Sequence, residues 1–406
     1  VNDFQKIRVV FGAFVTTSAS AIAVMSYSFA AMAPDIQREF GWGRGYASLA
    51  ITMLSFGTFI ACTGGGKVAD KFGTMIVSIV SAILCGLVVT GMPWIINSIF
   101  TFCICYAFIG ILGVGMLPVT LLRPIGRLFN TRRGLATGAV LSGTGVSAIF
   151  IPFMTNALVE RGGWHLAYIG LSLLIFCNIP VLWLSLRHYA REERLVLHHV
   201  ALSQWGCVTQ GLTLKEARRT ATLWKLTAVA LLAGTCFAGI VVHLMLAYRD
   251  MGASPAHAST LLAVIGFSAI VGRLFTGMLL DRINGPKLGF LVLLMASGGF
   301  AVTLAFGLDG AFLGAVLIGL GYGSEYDIIA YFVGRYFGVL EFGAIYGWLY
   351  GFLALGNSIG PLLVGMSYDY GGNYYFALGV ATSLICIAAG VTLALGEYRY
   401  AVSEPS

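Results

Sequence analysis

The sequence predicts an all-α membrane protein of twelve transmembrane helices in two pseudo-symmetric six-helix halves. Three observations carry this expectation: a shortage of charge, a succession of long apolar runs, and a set of motifs that occurs twice at nearly constant offset.

Of the 406 residues, 58% are hydrophobic and 10% are charged, and the mean hydropathy is +0.88. A soluble domain carries roughly 25% charged residues, so most side chains here meet lipid or other helices. The net charge of +7 does not indicate nucleic acid, because Lys and Arg are confined to short segments between apolar runs. The eight cysteines fall mostly inside those runs. Cys103 and Cys105 stand two apart on a helix and point to different sides, so neither a disulfide framework nor a zinc site is expected. No cofactor is implied.

The predicted spans are 7–33, 45–66, 74–94, 98–126, 135–159, 164–186, 225–248, 256–280, 288–308, 310–337, 342–367 and 374–396. Each is long enough to cross about 30 Å of hydrocarbon at 1.5 Å per residue. The first follows Lys6 and Arg8 and is too long for a signal-peptide core, so it is expected to remain as a span. Eighteen basic residues lie on the side of the termini, four (Arg38, Arg44, Arg161, Arg249) on the other side, and Arg123 and Arg273 inside spans. This asymmetry predicts an inner-membrane protein with both termini cytoplasmic.

Residues 1–186 are expected to form the N-terminal bundle, 187–224 a polar cytoplasmic linker, and 225–406 the C-terminal bundle. The linker, with Glu192, Glu193, His198, His199 and an amphipathic stretch over Leu212–Arg219, reads as a solvated connector; a segment lying on an anionic membrane surface is the other reading. The adjacent histidines lack the spacing of a metal site.

The halves repeat. Gly66-Lys67-Val68-Ala69-Asp70-Lys71-Phe72-Gly73 returns as Gly277-Met278-Leu279-Leu280-Asp281-Arg282-Ile283-Asn284-Gly285, an offset of 211 between the first glycines. Gly126-Arg127-Leu128-Phe129 returns as Gly334-Arg335-Tyr336-Phe337 at 208, and Gly134, Gly138 and Pro152 return as Gly343, Gly347 and Pro361 at 209. In each loop, Gly66 or Gly277 lets a neighbouring helix end approach, Gly73 or Gly285 permits a turn with positive φ, and the carboxylate of Asp70 or Asp281 suits a nearby helix N-terminus. Such a loop serves either as a conformational latch or as a static turn.

On these residues the chain resembles the major facilitator superfamily, whose signature loop has this form after spans two and eight. Within it the chain looks like the monocarboxylate-transporter group and its bacterial relatives. The matching stretches are Glu39-Phe40-Gly41-Trp42, Phe129 to Gly138, His243-Leu244 with Tyr248, Asp250 and Gly252, Gly266-Phe267 with Arg273, Arg335-Tyr336-Phe337-Gly338, and Phe342 to Gly347. The resemblance implies a monomeric secondary transporter of small organic anions, monocarboxylates such as lactate first, coupled to protons through alternating access. Anion exchange of the oxalate/formate kind and transport of dicarboxylates or aromatic acids stay open. Two departures stand out. Many animal members carry an acid one turn before the span-eight arginine, where this chain has Ala269, and the span-one lysine has no counterpart between Phe14 and Ala33.

Charge at the bilayer centre costs at least about 2.5–3.5 kcal/mol, which makes it the sharpest functional signal. Arg273 lies on a stripe with Gly266, Ala269 and Gly277; its planar fork suits a carboxylate at any cellular pH, and an ion pair with a span-ten acid is the structural alternative. Arg123, one turn before Arg127 and beside Pro124, either reaches the interface or faces the cavity as a second substrate contact. Glu325 and Asp327 are the candidate proton carriers; two apart on a helix, they diverge by about 200°. Tyr331, one turn from Asp327, is a candidate donor to the bound acid, and His243 a candidate relay or gate residue. Tyr27 and Asn357 complete the candidate substrate-binding set.

A receptor or sensor would need an output domain, a channel would not need two halves each with a latch, and a membrane enzyme would want a His/Asp/Glu cluster near one interface. None of these fits the sequence, and no enzymatic activity is expected.

Overall fold

The computed structural model describes residues 3–42, 44–129, 133–202, 211–280, 282–338 and 340–398. Ten stretches in it are long and apolar enough to cross a membrane. One of them, Gly134–Ala190, spans 57 residues; it holds two passes, because Gly162 and Gly163 leave helical φ/ψ and Gly163 takes φ +69°. A shorter apolar helix, Leu49–Thr63, adds the last pass, for twelve in total.

In the first half, α1 (Asp3–Ser18) and α2 (Ala21–Phe40) make the first pass, followed by α3 (Arg44–Phe72) and α4 (Thr74–Ile95). The fourth pass is α5 (Ile99–Leu112), a 3-10 turn (Gly113–Met116) and α6 (Pro118–Leu128). The fifth and sixth are α7 (Arg133–Leu141), α8 (Gly143–Phe176) and α9 (Asn178–Leu202). The second half comprises the short α10 (Leu214–Ala217), then α11 (Ala221–Asp250), α12 (Pro255–Leu280), α13 (Gly285–Phe306), α14 (Leu308–Phe337), α15 (Phe342–Gly371) and α16 (Tyr375–Leu393).

Three passes expected to be continuous, 7–33, 98–126 and 135–159, are broken in mid-course. Broken backbone is tolerated at membrane depth only where other groups satisfy it. Ser147 Oγ donates to the Ser18 carbonyl at 2.5 Å and Asn178 Nδ2 to the Ala19 carbonyl at 2.9 Å. Around the 3-10 turn, Ser78 Oγ donates to the Gly115 carbonyl and the Gly115 N–H to Ser81 Oγ, at 2.5 and 3.1 Å. At the third break, Ser142 separates α7 from α8, and the Leu141 carbonyl accepts from Thr144 Oγ1 at 3.0 Å.

Helix α9 continues to Leu202, well into the stretch expected to be a polar linker. The end of that stretch is docked. Leu212 N–H donates to the Phe337 carbonyl, and Leu214 N–H to Glu341 Oε2, each at 2.8 Å. A capping box between Thr213 and Glu216 opens α10; the Thr213 N–H and hydroxyl hold the Glu216 carboxyl below the usual range.

The halves meet through small residues, which let helix backbones approach. A Cβ on Gly277 of α12 would lie 2.6 Å from the Gly134 carbonyl oxygen of α7, and one on Gly351 of α15 would lie 2.7 Å from Thr63 Cγ2 of α3. Ser358 Oγ of α15 donates to the Thr52 carbonyl of α3 at 3.1 Å.

Candidate functional site

Arg273 is 5% exposed, on the face of α12 that meets the first half. Its Nη1 donates to the Leu141 carbonyl at 2.5 Å, an acceptor that exists because α7 stops there. The approach is possible because Gly138 carries no side chain: a Cβ there would lie 2.9 Å from the Arg273 carbonyl oxygen. The guanidinium also lies over the Tyr326 ring, 5.4 Å from its centroid.

Glu325 and Asp327 of α14 are 4% and 1% exposed. None of their four carboxylate oxygens has a hydrogen-bond partner among the described residues, and no ion pair involving Arg273 is formed among those residues. Arg273 nevertheless lies within electrostatic reach of both acids. Glu325 shares its surroundings with Tyr322, Tyr326 and Tyr350, while Asp327 is close to Tyr346. The two acids thus diverge around α14, as their spacing dictates, yet flank one cation.

Tyr27 of α2 joins this cluster, half-buried and within reach of the Arg273 charge. Tyr326 and Tyr350 stand 5.5 Å apart between ring centroids, and Tyr350 and Tyr346 5.9 Å. These tyrosines of α14 and α15 were not singled out in the sequence. Their only signal was the recurrence of Tyr beside glycine, in Gly321-Tyr322-Gly323 and Tyr346-Gly347 through Tyr350-Gly351.

The other expected residues sit elsewhere. Arg123 is 6% exposed in α6; Val119, one turn earlier on the same face, lies 3.4 Å from where a Cβ on Gly347 of α15 would be. Tyr331 accepts from Arg335 Nε at 3.1 Å and lies beside the Tyr398 ring, away from the Arg273 cluster at the end of α14 nearest the termini. His243 bonds the Pro361 carbonyl through Nε2 at 3.0 Å and Tyr374 Oη through Nδ1 at 3.4 Å, which joins α11, α15 and α16. Asn357 Oδ1 lies in the α11–α15 seam, 3.1 Å from where a Cβ on Gly234 would be.

Of the loop residues, Gly73 takes φ +84° before α4, as expected. Gly285 does not adopt positive φ. It opens α13, where its N–H donates to Tyr398 Oη at 2.6 Å, and a Cβ would crowd that same oxygen. Gly66 and Asp70 lie on α3, but the packing around Gly66 and the Asp70 side chain, like all of Asp281, fall outside what the structure describes.

Two six-helix halves meeting at a buried arginine, two buried acids and a tyrosine-rich wall define a multi-pass membrane transporter. The chain matches the Major Facilitator Superfamily over residues 10–339 and 249–405 and belongs to that family. It is 27% identical over 380 residues to monocarboxylate transporter 13 of Bos taurus, across 89% of this chain and 81% of that protein. It is 24% identical over 318 residues to the uncharacterized MFS-type transporter YhjX of Escherichia coli, across 76% of this chain and 75% of that protein. The fold matches the crystal structure of the superfamily transporter FucP in the outward conformation, with a TM-score of 0.69 at 15% identity over 96% of this chain and 99% of that one. Members of the family move solutes and are not enzymes.

Proposed function

We propose that this protein carries small organic anions, monocarboxylates such as lactate first, by proton-coupled symport. The observation that supports it is a buried guanidinium that donates to a main-chain carbonyl, within electrostatic reach of two buried carboxylates without hydrogen-bond partners among the described residues. A carboxylate docking on Arg273 can take the two parallel N–H donors that one carbonyl cannot fill. The similarity to a monocarboxylate transporter supports the same cargo.

Charge balance supports the coupling. Arg123 and Arg273 match Glu325 and Asp327 in the empty core. A bound anion adds one negative charge, and a proton taken up by one of the acids restores neutrality, so the loaded carrier reorients without moving net charge through the bilayer. Tyr27 and the α14–α15 tyrosines line the anion's path; Arg123 lies on the α15 side of the same core. His243 and Asn357 belong to the α11–α15 seam that must open and close, and Asp70, Asp281, Gly66 and Gly277 to the latch. The protein works as a monomer in an inner membrane with both termini cytoplasmic.

The test is uptake of labelled lactate into proteoliposomes. The proposal requires accumulation driven by an inward proton gradient and abolished by a protonophore. Equilibration without accumulation contradicts symport.

A further inference from the structure

On the face that carries the termini, α1, α6 and α9 of the first half diverge around a narrow, solvent-open cleft that shares no lining residue with the Arg273 cluster. Its polar lining is Gln5 and Arg8 from α1 and Ser185, His188 and Tyr189 from α9, over a floor of Val9 and Leu128. The cleft starts where α1 and α9 stop touching: a Cβ on Gly12 would overlap the Ser185 side chain, so the helices are in direct contact at that level. No carboxylate is among the described residues that line it, and the nearby Asp3 is paired with Lys6 at 3.2 Å. Arg8 donates to the Leu184 carbonyl; a guanidinium has five N–H donors, so most of the fork remains for a ligand.

The cleft opens beside lipid-facing surface. Phe4, Ile7 and Phe11 are exposed at helical spacing along α1, and Trp183 and Leu184 are exposed on α9. Arg187 lies over the Trp183 ring, 5.1 Å from its centroid, an arrangement that marks the headgroup level of a bilayer.

We propose that this cleft binds the phosphate of an anionic lipid headgroup, with the acyl chains lying along Phe4, Ile7 and Phe11. Arg8 supplies a fork matched to phosphate oxygens, His188 donates in either protonation state, and the Ser185 and Tyr189 hydroxyls and the Gln5 amide complete the shell. The apolar stripe at the mouth is what a lipid needs and a free phosphate does not.

The experiment measures thermal unfolding of the full-length protein in dodecylmaltoside with added dioleoylphosphatidylglycerol, dioleoylphosphatidylcholine or inorganic phosphate. Native mass spectrometry counts the lipids retained. The phosphatidylglycerol should stabilise the protein more than the phosphatidylcholine, with one molecule retained, and inorganic phosphate alone should have little effect. Arg8→Gln should weaken phosphatidylglycerol binding by about tenfold or more, as loss of charge-assisted hydrogen bonds requires. His188→Gln, an exposed change that spares folding, should weaken it less, and Lys215→Gln on the same face not at all. The proposal is overturned if Arg8→Gln and His188→Gln bind the lipid as the wild type does. It is also overturned if Lys215→Gln weakens binding equally, which means diffuse surface charge, or if inorganic phosphate reproduces the Arg8-dependent stabilisation, which means a free-phosphate site.

Discussion

The Arg273 guanidinium reaches across the seam between the halves and donates to the Leu141 carbonyl at 2.5 Å. The arginine proposed to grip the substrate is thereby tied to the half that must move relative to it. Leu141 offers its carbonyl only because α7 ends there, and Gly138 makes the approach possible.

Replacing Arg273 with Lys keeps the charge and removes the fork. Substrate binding should weaken by about 1.5–3 kcal/mol, on the order of 10- to 100-fold in Kd, with folding retained. Ligand-dependent thermal shift measures it, since stabilisation follows RT ln(1 + [L]/Kd). Wild-type affinity in Arg273→Lys would make the arginine a structural residue.

The α7–α12 contact should be sensitive to a single side chain. Gly138→Val places atoms where the Arg273 carbonyl lies, a Cβ alone being 2.9 Å away. Overpacking of this kind costs about 1–3 kcal/mol, here in the state with α7 and α12 closed. Engineered cysteines on the terminus-bearing face should become more reactive and those on the opposite face less so. Unchanged labelling on both faces would count against α7–α12 as a moving contact.

The latch makes a parallel prediction. Asp70→Asn and Asp281→Asn each remove a charge from a helix junction on the terminus-bearing face and should shift the balance between the two access states without abolishing substrate binding. The same accessibility assay reads it. Identical labelling before and after either change would leave the loops as static turns.

Much of this was legible in the sequence, and the reasons are physical. Arg273, Glu325 and Asp327 stood out because charge in an apolar run is costly, and the structure gathers them. The repeat of Gly66 to Gly73 at Gly277 to Gly285 announced the two halves. The helix breaks at Ser20, Gly113 and Ser142 were hidden, because hydropathy is indifferent to backbone geometry and the compensating Ser147, Asn178 and Ser78 lie on other helices. The placement of Tyr331 was hidden for a related reason. One turn from Asp327 places it on the acid's face of α14, but also farther along the helix, where Arg335 and Tyr398 take it. Gly285 is required by the Tyr398 hydroxyl, a contact that spans 113 residues of sequence.

In the proposed mechanism a proton on Glu325 or Asp327 balances the anion on Arg273. The two acids diverge around α14, so they are not equivalent, and their neutral variants should differ. The decisive measurement compares Glu325→Gln and Asp327→Asn in proteoliposomes, each assayed for proton-driven uptake and for counterflow exchange of labelled substrate. One variant should lose proton-driven accumulation and its dependence on external pH while keeping counterflow, because binding and reorientation persist without the titrating group. If both variants accumulate substrate as the wild type does, with the same pH dependence, neither acid carries the coupling proton and the mechanism is wrong.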